Sequence, residues 1–439
     1  MVPGLSGCAG TRPGSAFADV KLLVHDRTGR DLALPHGTQE QRGIEAQVAA
    51  LVKQPLTPGK AVQLAFINNK RLRATLQELD LSQADLAIAG QWRNPSLAAS
   101  LRFPGGGGTS NSEFGLSGEV LDWLLTPLRR KMALREYEAA KKRVSHEALD
   151  LAAEVKAAFY EVQARQQFLH KMETAAEVNN VTSDIADRLH KAGNITALDL
   201  LQEQTNAQQA ALDLQRAKAD LRGAREKLSR LAGLNSAEAA RWSVTAELPA
   251  PAGEPSTSAL EVLALKQRQD LAAQRDTVAG FEQALSLQKK TRLIPGLKLG
   301  VDTEREVDGS RVTGPTLDVE VPLFNWGGAR LSKAGAELAQ AKATLEALQS
   351  EVAGDVRTAA AEVQAARGAY DLLAKNLLPQ RRKILAETLL QYNAMQVSNF
   401  VLLRAKEDEV KAERETIDAL RTYWTARAQL EKAVGGSLR

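Results

Sequence analysis

The residues able to do chemistry are few and scattered. The chain holds one cysteine and five histidines. A single thiol rules out an internal disulfide and a cysteine-built zinc site. His25, His36, His146, His170 and His190 make neither an HxxxH nor an HExxH pair, the spacings that set two imidazoles on one helical face around a metal. No serine–histidine–aspartate set, phosphate loop or convergent carboxylate pair stands out, so neither an enzyme nor a cofactor is expected. The neighbours Asp408 and Glu409 fall on a helical face and read as solvated surface. One reactive group remains. Leu5-Ser6-Gly7-Cys8-Ala9 has the order of a bacterial lipobox: an apolar residue, two small ones, then the cysteine whose sulfur takes the lipid. The charged and apolar stretches that precede such a site are reduced to Met1–Gly4. The start is therefore shortened or mis-assigned, or the match is accidental; the reading adopted is a lipid on Cys8.

Composition says what must carry these residues. Lys and Arg number 57 against 53 Asp and Glu, a net charge of +4. No basic stripe interleaved with aromatics appears, which argues against nucleic acid as a partner. Hydrophobic residues make up 44% and aromatic residues only 4%. A compact core spends more on large rings; Ala, Leu, Glu, Gln, Lys and Arg are strong helix formers. Long thin helices packed side by side fit this profile. There is no run of ~18 apolar residues of the kind that forms a membrane-spanning helix. A β-barrel stays open, because its sequence signal is weaker.

Residues 1–8 read as the remnant of a lipoprotein signal and 9–56 as an extension with little periodicity, which wraps something or stays loose. Thr57 caps a helix with Pro58 at its first position, and helical spacing holds to about Ala89. A hairpin comes next, over 96–121. Leu97, Ala99, Leu101 and Phe103 fall on one face, as do Phe114, Leu116, Gly118 and Val120; Pro104 to Gly108 make a flexible tip. From Lys131 to Ala192 there is neither Gly nor Pro, a helix of roughly 90 Å with a coiled-coil-like apolar seam. After a break at 190–196 a second helix runs to Leu231, and Gly233 caps it. Residues 234–257 form a linker rich in Pro and Gly from Pro249 to Pro255. The pattern then restarts over 258–436: a helix, a hairpin at 296–321, a helix from about Ala329 through Pro379, a break near 393–398, and a helix to Val434. Residues 437–439 are a tail.

The restart is a duplication. Val155, Glu161, Val162, Gln163 and Ala164 correspond to Val356, Glu362, Val363, Gln364 and Ala365, and Leu200-Leu201 to Leu402-Leu403. Two repeats, 57–233 and 258–436, thus share one plan.

Each of the four strands is apolar on one face and polar or small on the other. No globular element is available to cover the apolar face, whereas a membrane barrel meets lipid outside and water inside. Four strands cannot close a barrel, and open edges are not tolerated in lipid. Several chains must share one: two would give eight strands filled by side chains, three would give twelve and a pore. Trp92, Phe103, Phe114, Trp123, Phe324 and Trp326 near the strand ends suit an interfacial belt or packing at the junction with the helices. Trp123 and Trp326 are expected on the helix side.

With these elements in place the chain resembles the TolC family of outer-membrane efflux proteins over residues 57 to 436. Arg188-Leu189-His190-Lys191-Ala192-Gly193-Asn194-Ile195-Thr196-Ala197-Leu198-Asp199-Leu200-Leu201 is similar to the family's helix–turn–helix tip, with Tyr392-Asn393-Ala394-Met395-Gln396-Val397-Ser398 as its counterpart. Val321-Pro322-Leu323-Phe324-Asn325-Trp326-Gly327-Gly328 resembles the strand-to-helix exit. The resemblance implies a mainly α fold with a small β part: long coiled-coil helices forming an α-barrel, and four strands per chain in a homotrimeric, twelve-stranded transmembrane β-barrel. It implies an outer-membrane duct reaching into the periplasm, with a lipid anchor at the start. Cargo would pass passively from an inner-membrane pump through a periplasmic adaptor. Ala192, Gly193, Asn194, Thr196, Met395, Gln396 and Ser398 would mark the periplasmic tip and meet the adaptor. Asp199 fits a gate position; Val401 stands at the equivalent place in the second repeat, so an acidic ring is half present. Two other readings compete. A soluble coiled-coil scaffold explains the helices but not the alternating hairpins. A periplasmic adaptor needs more strands than these four.

Overall fold

A computed structural model describes residues 15–438 apart from 36, 104, 106–109, 246, 252, 254, 255, 293–295 and 307. Cys8, His36 and most of the first hairpin's tip thus lie outside the described residues. The helices are α1 (Ser15–Thr28), α2 (Thr38–Val52), α3 (Pro58–Asn68), α4 (Lys70–Ala89), α5 (Val120–Lys191), α6 (Ala197–Leu231), α7 (Ser236–Ala239), α8 (Thr257–Gln267), α9 (Gln269–Thr291), α10 (Gly328–Leu372), α11 (Leu378–Asn393) and α12 (Asn399–Val434). The strands are β1 (Ser96–Arg102), β2 (Asn111–Glu119), β3 (Leu297–Arg305) and β4 (Arg311–Val319). No described helix is long and apolar enough to cross a membrane.

The extension, read as wrapping something or staying loose, is helical over most of its described length. It makes two helices, because each carries a narrow apolar stripe at i, i+4. Ala16, Val20 and Val24 are buried in α1, and Ile44, Val48 and Val52 in α2.

The chain packs as two compact units. One contains the chain up to Val20, Leu76–Val144 and Gln269–Ser350. It holds a single antiparallel sheet in the order β1-β2-β3-β4. Helices α9 and α10 join there through Gln274 Nε2, which donates to the Ala341 carbonyl at 3.0 Å, and the pair Lys342–Glu282 at 3.0 Å. Buried Asp276 accepts Arg135 at 3.4 Å and also pairs with Lys142.

The second unit contains Lys21–Thr75, Ser145–Arg268 and Glu351–Arg439. Positions matched between the repeats play matched parts in it. Val155 and Val356 are both wholly buried, as are Val162 and Val363. The first helix of each repeat breaks at one residue, Asn69 (φ −67°, ψ 117°) and Arg268 (φ −61°, ψ 125°). Neither is Gly or Pro, so a continuous helix was the natural expectation. Tertiary bonds set the first break: Asn68 and Asn69 donate their side-chain amides to the carbonyls of Leu231, Ala232 and Gly233 at 2.7–3.1 Å. The linker is fastened too, since buried Gln163 donates Nε2 to the Thr245 carbonyl at 2.8 Å and the Glu247 carbonyl at 3.1 Å.

A π-helical turn over Leu373–Leu377 separates α10 from α11. Its origin is legible in the repeat. Val155 matches Val356, 201 positions on, whereas Leu200 matches Leu402, 202 positions on. One extra residue has entered between, and a π turn absorbs it without breaking the helix. Pro379, which cannot donate to a carbonyl four residues back, sits just past this widened turn.

Candidate membrane-facing sheet and helix turns

The strand register sorts every strand side chain onto one of two faces. Leu97, Leu116, Val301 and Pro315 lie in one row across the four strands. The next row toward the helices holds Gly118, Leu299 and Leu317, and the last pairs Leu297 with Val319. In the other direction come Ala99, Phe114, Thr303 and Thr313, then Leu101, Ser112, Arg305 and Arg311. This face is apolar over most of its height and open: Leu97 is 76% exposed and Leu317 64%. The opposite face carries Glu113, Glu119, Asp302, Glu304 and Asp318 against Arg102 and Lys298. Glu113 and Glu304 stand directly opposite each other. Arg102 answers the first at 3.7 Å, and Asn111 Nδ2 donates to the second at 2.6 Å.

Aromatic residues collect at the helix end of the sheet. Trp123 lies against Gly118, where any Cβ would strike the indole. Its Nε1 donates to the Arg93 carbonyl at 3.1 Å, and its ring sits 6.5 Å from that of Trp92. Arg93 also pairs with Asp122 at 2.7 Å. After β4, Phe324 and Trp326 are exposed.

The two tip sequences fold alike. At the end of α5, Gly193 N donates to His190 O at 2.9 Å and Asn194 N to Leu189 O at 2.9 Å. At the end of α11, Met395 N donates to Tyr392 O at 2.9 Å and Gln396 N to Gln391 O at 2.9 Å. This six-to-one closure requires a left-handed residue. Gly193 supplies it at φ +75° and Met395 at +55°, the one described non-glycine residue with positive φ. Ala192, Gly193, Asn194, Thr196 and Asp199 thus share one turn, and Met395, Gln396 and Ser398 share the other. Met395 is 94% exposed.

The helices that leave the two turns start differently. Thr196 caps α6, accepting from Asp199 N at 3.2 Å, while Asp199 accepts from Thr196 N at 3.0 Å and Thr196 Oγ1 at 2.7 Å. This is a reciprocal capping box. The bonds from Thr196 hold the Asp199 carboxyl below the usual aspartate range. The gate candidate is therefore already engaged by its own helix. Ser398 makes no side-chain cap; its partner position is Val401, which has no carboxylate to return.

Farther along α12 the acids depart from the expected solvated surface. Glu409 is buried, bonded to Lys406 at 2.5 Å and near Arg382 at 3.7 Å. Asp408 holds Arg381 at 2.9 Å. Glu413 takes Lys171 at 2.8 Å and Arg382 at 2.9 Å. Burial pushes its carboxyl up, but those two cations outweigh burial and hold it below the ordinary glutamate value. The sequence signal was present: Arg381 and Arg382 lie opposite Asp408, Glu409 and Glu413 across the turn at Met395. It is read only once that turn is treated as a hairpin.

A family model described as outer membrane efflux protein matches residues 61–234 and 260–436. The chain is 22% identical over 392 residues to the cobalt-zinc-cadmium resistance protein CzcC of Cupriavidus metallidurans, covering 87% of this chain and 90% of that one. Among solved structures, the Campylobacter jejuni CmeC outer membrane channel superposes with a TM-score of 0.75 at 17% identity, over 86% of this chain and 85% of that chain. A membrane protein from Pseudomonas aeruginosa gives 0.74 at 21% identity, over 86% and 90%. The outer membrane protein VceC of Vibrio cholerae gives 0.72 at 16% identity, over 89% and 96%. These three likenesses carry the fold.

Proposed function

Because the chain belongs to the outer membrane efflux protein family, we propose that three copies share one twelve-stranded barrel in which each lends its four strands. The protein is an outer-membrane efflux channel that extends into the periplasm and forms the exit duct of a tripartite system. The observation that supports the shared barrel is the sheet itself. It has one open apolar face, and its outer strands β1 and β4 each have a single partner. Unpaired edges cost several kcal/mol per group in hydrocarbon, so neighbouring copies must pair β4 with β1. The apolar face meets lipid, and the face bearing Glu113, Asp302 and Glu304 lines the water-filled lumen. Trp92, Trp123 and Trp326 then mark the periplasmic boundary.

Transport through the duct is passive, with energy from an inner-membrane pump. The turns at Ala192-Gly193-Asn194-Thr196 and at Met395-Gln396-Ser398 form the periplasmic tip that meets an adaptor. The exposed Met395 side chain offers the apolar contact there. Asp199 has a second use as half of an acidic constriction, and Cys8 bears the lipid anchor. The cargo reading that fits best is divalent metal ions. CzcC is named for resistance to cobalt, zinc and cadmium, and the lumen face carries five carboxylates against two basic residues.

The test is made in outer-membrane-bearing host cells that lack their own exit duct and carry a metal pump and adaptor. Supplying this chain should raise tolerance to zinc, cobalt or cadmium. A trimer that assembles in the outer membrane and leaves metal tolerance unchanged would overturn the cargo reading and leave the duct standing.

A further inference from the structure

Arg305 and Arg311 are out of place by the logic of the sheet. They are register partners on β3 and β4, so they stand directly opposite each other on the apolar face, in the row of Leu101 and Ser112. Like charges so placed repel. Both are exposed, and among the described residues neither guanidinium has a hydrogen-bond or ion-pair partner. Of the nearby acids, Glu306 is exposed and forms no ion pair with either guanidinium, and the other two are engaged elsewhere. Asp308 accepts from Ser310 N at 2.8 Å and Ser310 Oγ at 2.7 Å. Glu304 lies on the other face and accepts from Asn111.

Closing the barrel does not neutralise the pair. A neighbouring copy would present β1 beside β4, and the residues of β1 on this face are Leu97, Ala99 and Leu101. Those of β2 are Ser112, Phe114, Leu116 and Gly118. No strand residue on this face carries a carboxylate. The strands of this face therefore leave both charges open to an anion from outside the protein.

The height of the pair says where that anion lies. From Leu297 to Arg305, and from Val319 to Arg311, is eight residues, or ~27 Å along a strand at ~3.4 Å per residue. Strands tilted ~35–45° rise roughly 20 Å over that distance, against an apolar band ~25 Å tall. The rows between change in order: apolar, then the hydroxyl pair Thr303–Thr313 bonded at 2.9 Å, then the two arginines. The pair lies at the loop end of the strands, away from the helices, and so at the headgroup level of the outer leaflet.

We propose that Arg305 and Arg311 bind the phosphate of a phosphorylated glycolipid in the outer leaflet, one site per chain, with its acyl chains lying on Val301, Pro315, Leu299 and Leu317. Guanidinium forks match phosphate oxygens in pairs, and one phosphate relieves the repulsion of two cations. The site rests on the reading that the apolar face meets lipid.

The test uses the full trimer, extracted in mild detergent and stripped of bound lipid. Binding of bis-phosphorylated lipid A is compared with that of the same lipid after enzymatic removal of its phosphates, by native mass spectrometry. The wild type should prefer the phosphorylated form by roughly 10- to 100-fold. R305Q/R311Q should lose that preference while still forming trimers, because it removes a repulsion, and R305K/R311K should keep part of it. R102Q, at the same strand end on the opposite face, should leave it intact. Inorganic phosphate at millimolar concentration should not displace the lipid. Equal binding of the two lipids, equal loss in R102Q, or displacement by free phosphate each overturns the site. A preparation that is not trimeric would instead overturn the barrel reading beneath it, so the two failures are distinct.

Discussion

Gly193 and Met395 hold one backbone position in two copies of the same turn, both left-handed, at φ +75° and +55°. A left-handed residue with a side chain costs about 1–2 kcal/mol. Gly193→Ala should therefore destabilise its turn by about 1 kcal/mol, and Met395→Gly should stabilise its own by up to about 1 kcal/mol. Amide exchange over 390–397 checks the second. If Met395 is an adaptor contact, the same Met395→Gly change lowers efflux while tightening the turn. A merely structural methionine would give tighter exchange with efflux unchanged.

The capping box gives a pH dependence with a definite sign. Asp199 is held below its ordinary value by Thr196. Its contribution to the start of α6 is present above the usual aspartate range and lost as pH falls through the lowered value. The amides of Asp199 and Leu200, which bond to Thr196, should lose protection below about pH 4, and Asp199→Asn should remove that transition. Thr196→Ala should cost about 1 kcal/mol at neutral pH. The second turn, with Val401 in place of the acid, should show no such transition at 399–402.

Gly233 ends α6 at φ +68°, and a Cβ there would lie 2.3 Å from the Asn68 carbonyl oxygen. Gly233→Ala meets both backbone strain and a rigid clash, and should cost more than about 2 kcal/mol. Gly43, inside α2, has open space around a built Cβ. Gly43→Ala should gain about 0.5–1 kcal/mol. Opposite shifts in the melting temperature of the detergent-solubilised protein check the pair.

Burial raises the carboxyl of Glu203, and the charges of Glu407 and Asp199 push the same way against a bond from Asn206. A raised acid penalises the fold fully above its raised value, and the penalty fades as pH falls toward the ordinary glutamate range. Glu203→Gln should raise the melting temperature by about 1–3 °C at pH 7, with the advantage shrinking toward pH 4.5. An advantage that grows on acidification would contradict the assignment.

The strands and the turns were legible because their signals are local. Alternation at Leu97, Leu116, Leu299 and Leu317 fixes which face is apolar whatever the partner strand, and the duplicated order supports each element twice. Features set by distant contacts were not legible. Nothing in Asn69 or Arg268 announces a helix break; amide bonds to Leu231 and Gly233, 162 to 165 residues away, make the first. Helix α5 starts at Val120, eleven residues before the stretch free of Gly and Pro that marks it in the sequence, and it carries Pro127 inside it at the cost of one backbone bond. Glu409 looked solvated because, besides Lys406 on its own helix, it meets Arg382 from across a turn.

Sharing of one barrel by three chains underlies the lumen, the lipid-facing surface and the tip alike. The most direct test is the protein mass of the complex extracted from outer membranes in mild detergent, with the detergent contribution subtracted. Three times the 47.4 kDa chain mass is the predicted result. A complex of one or two chains, with the open edges of β1 and β4 left to another partner, would contradict it.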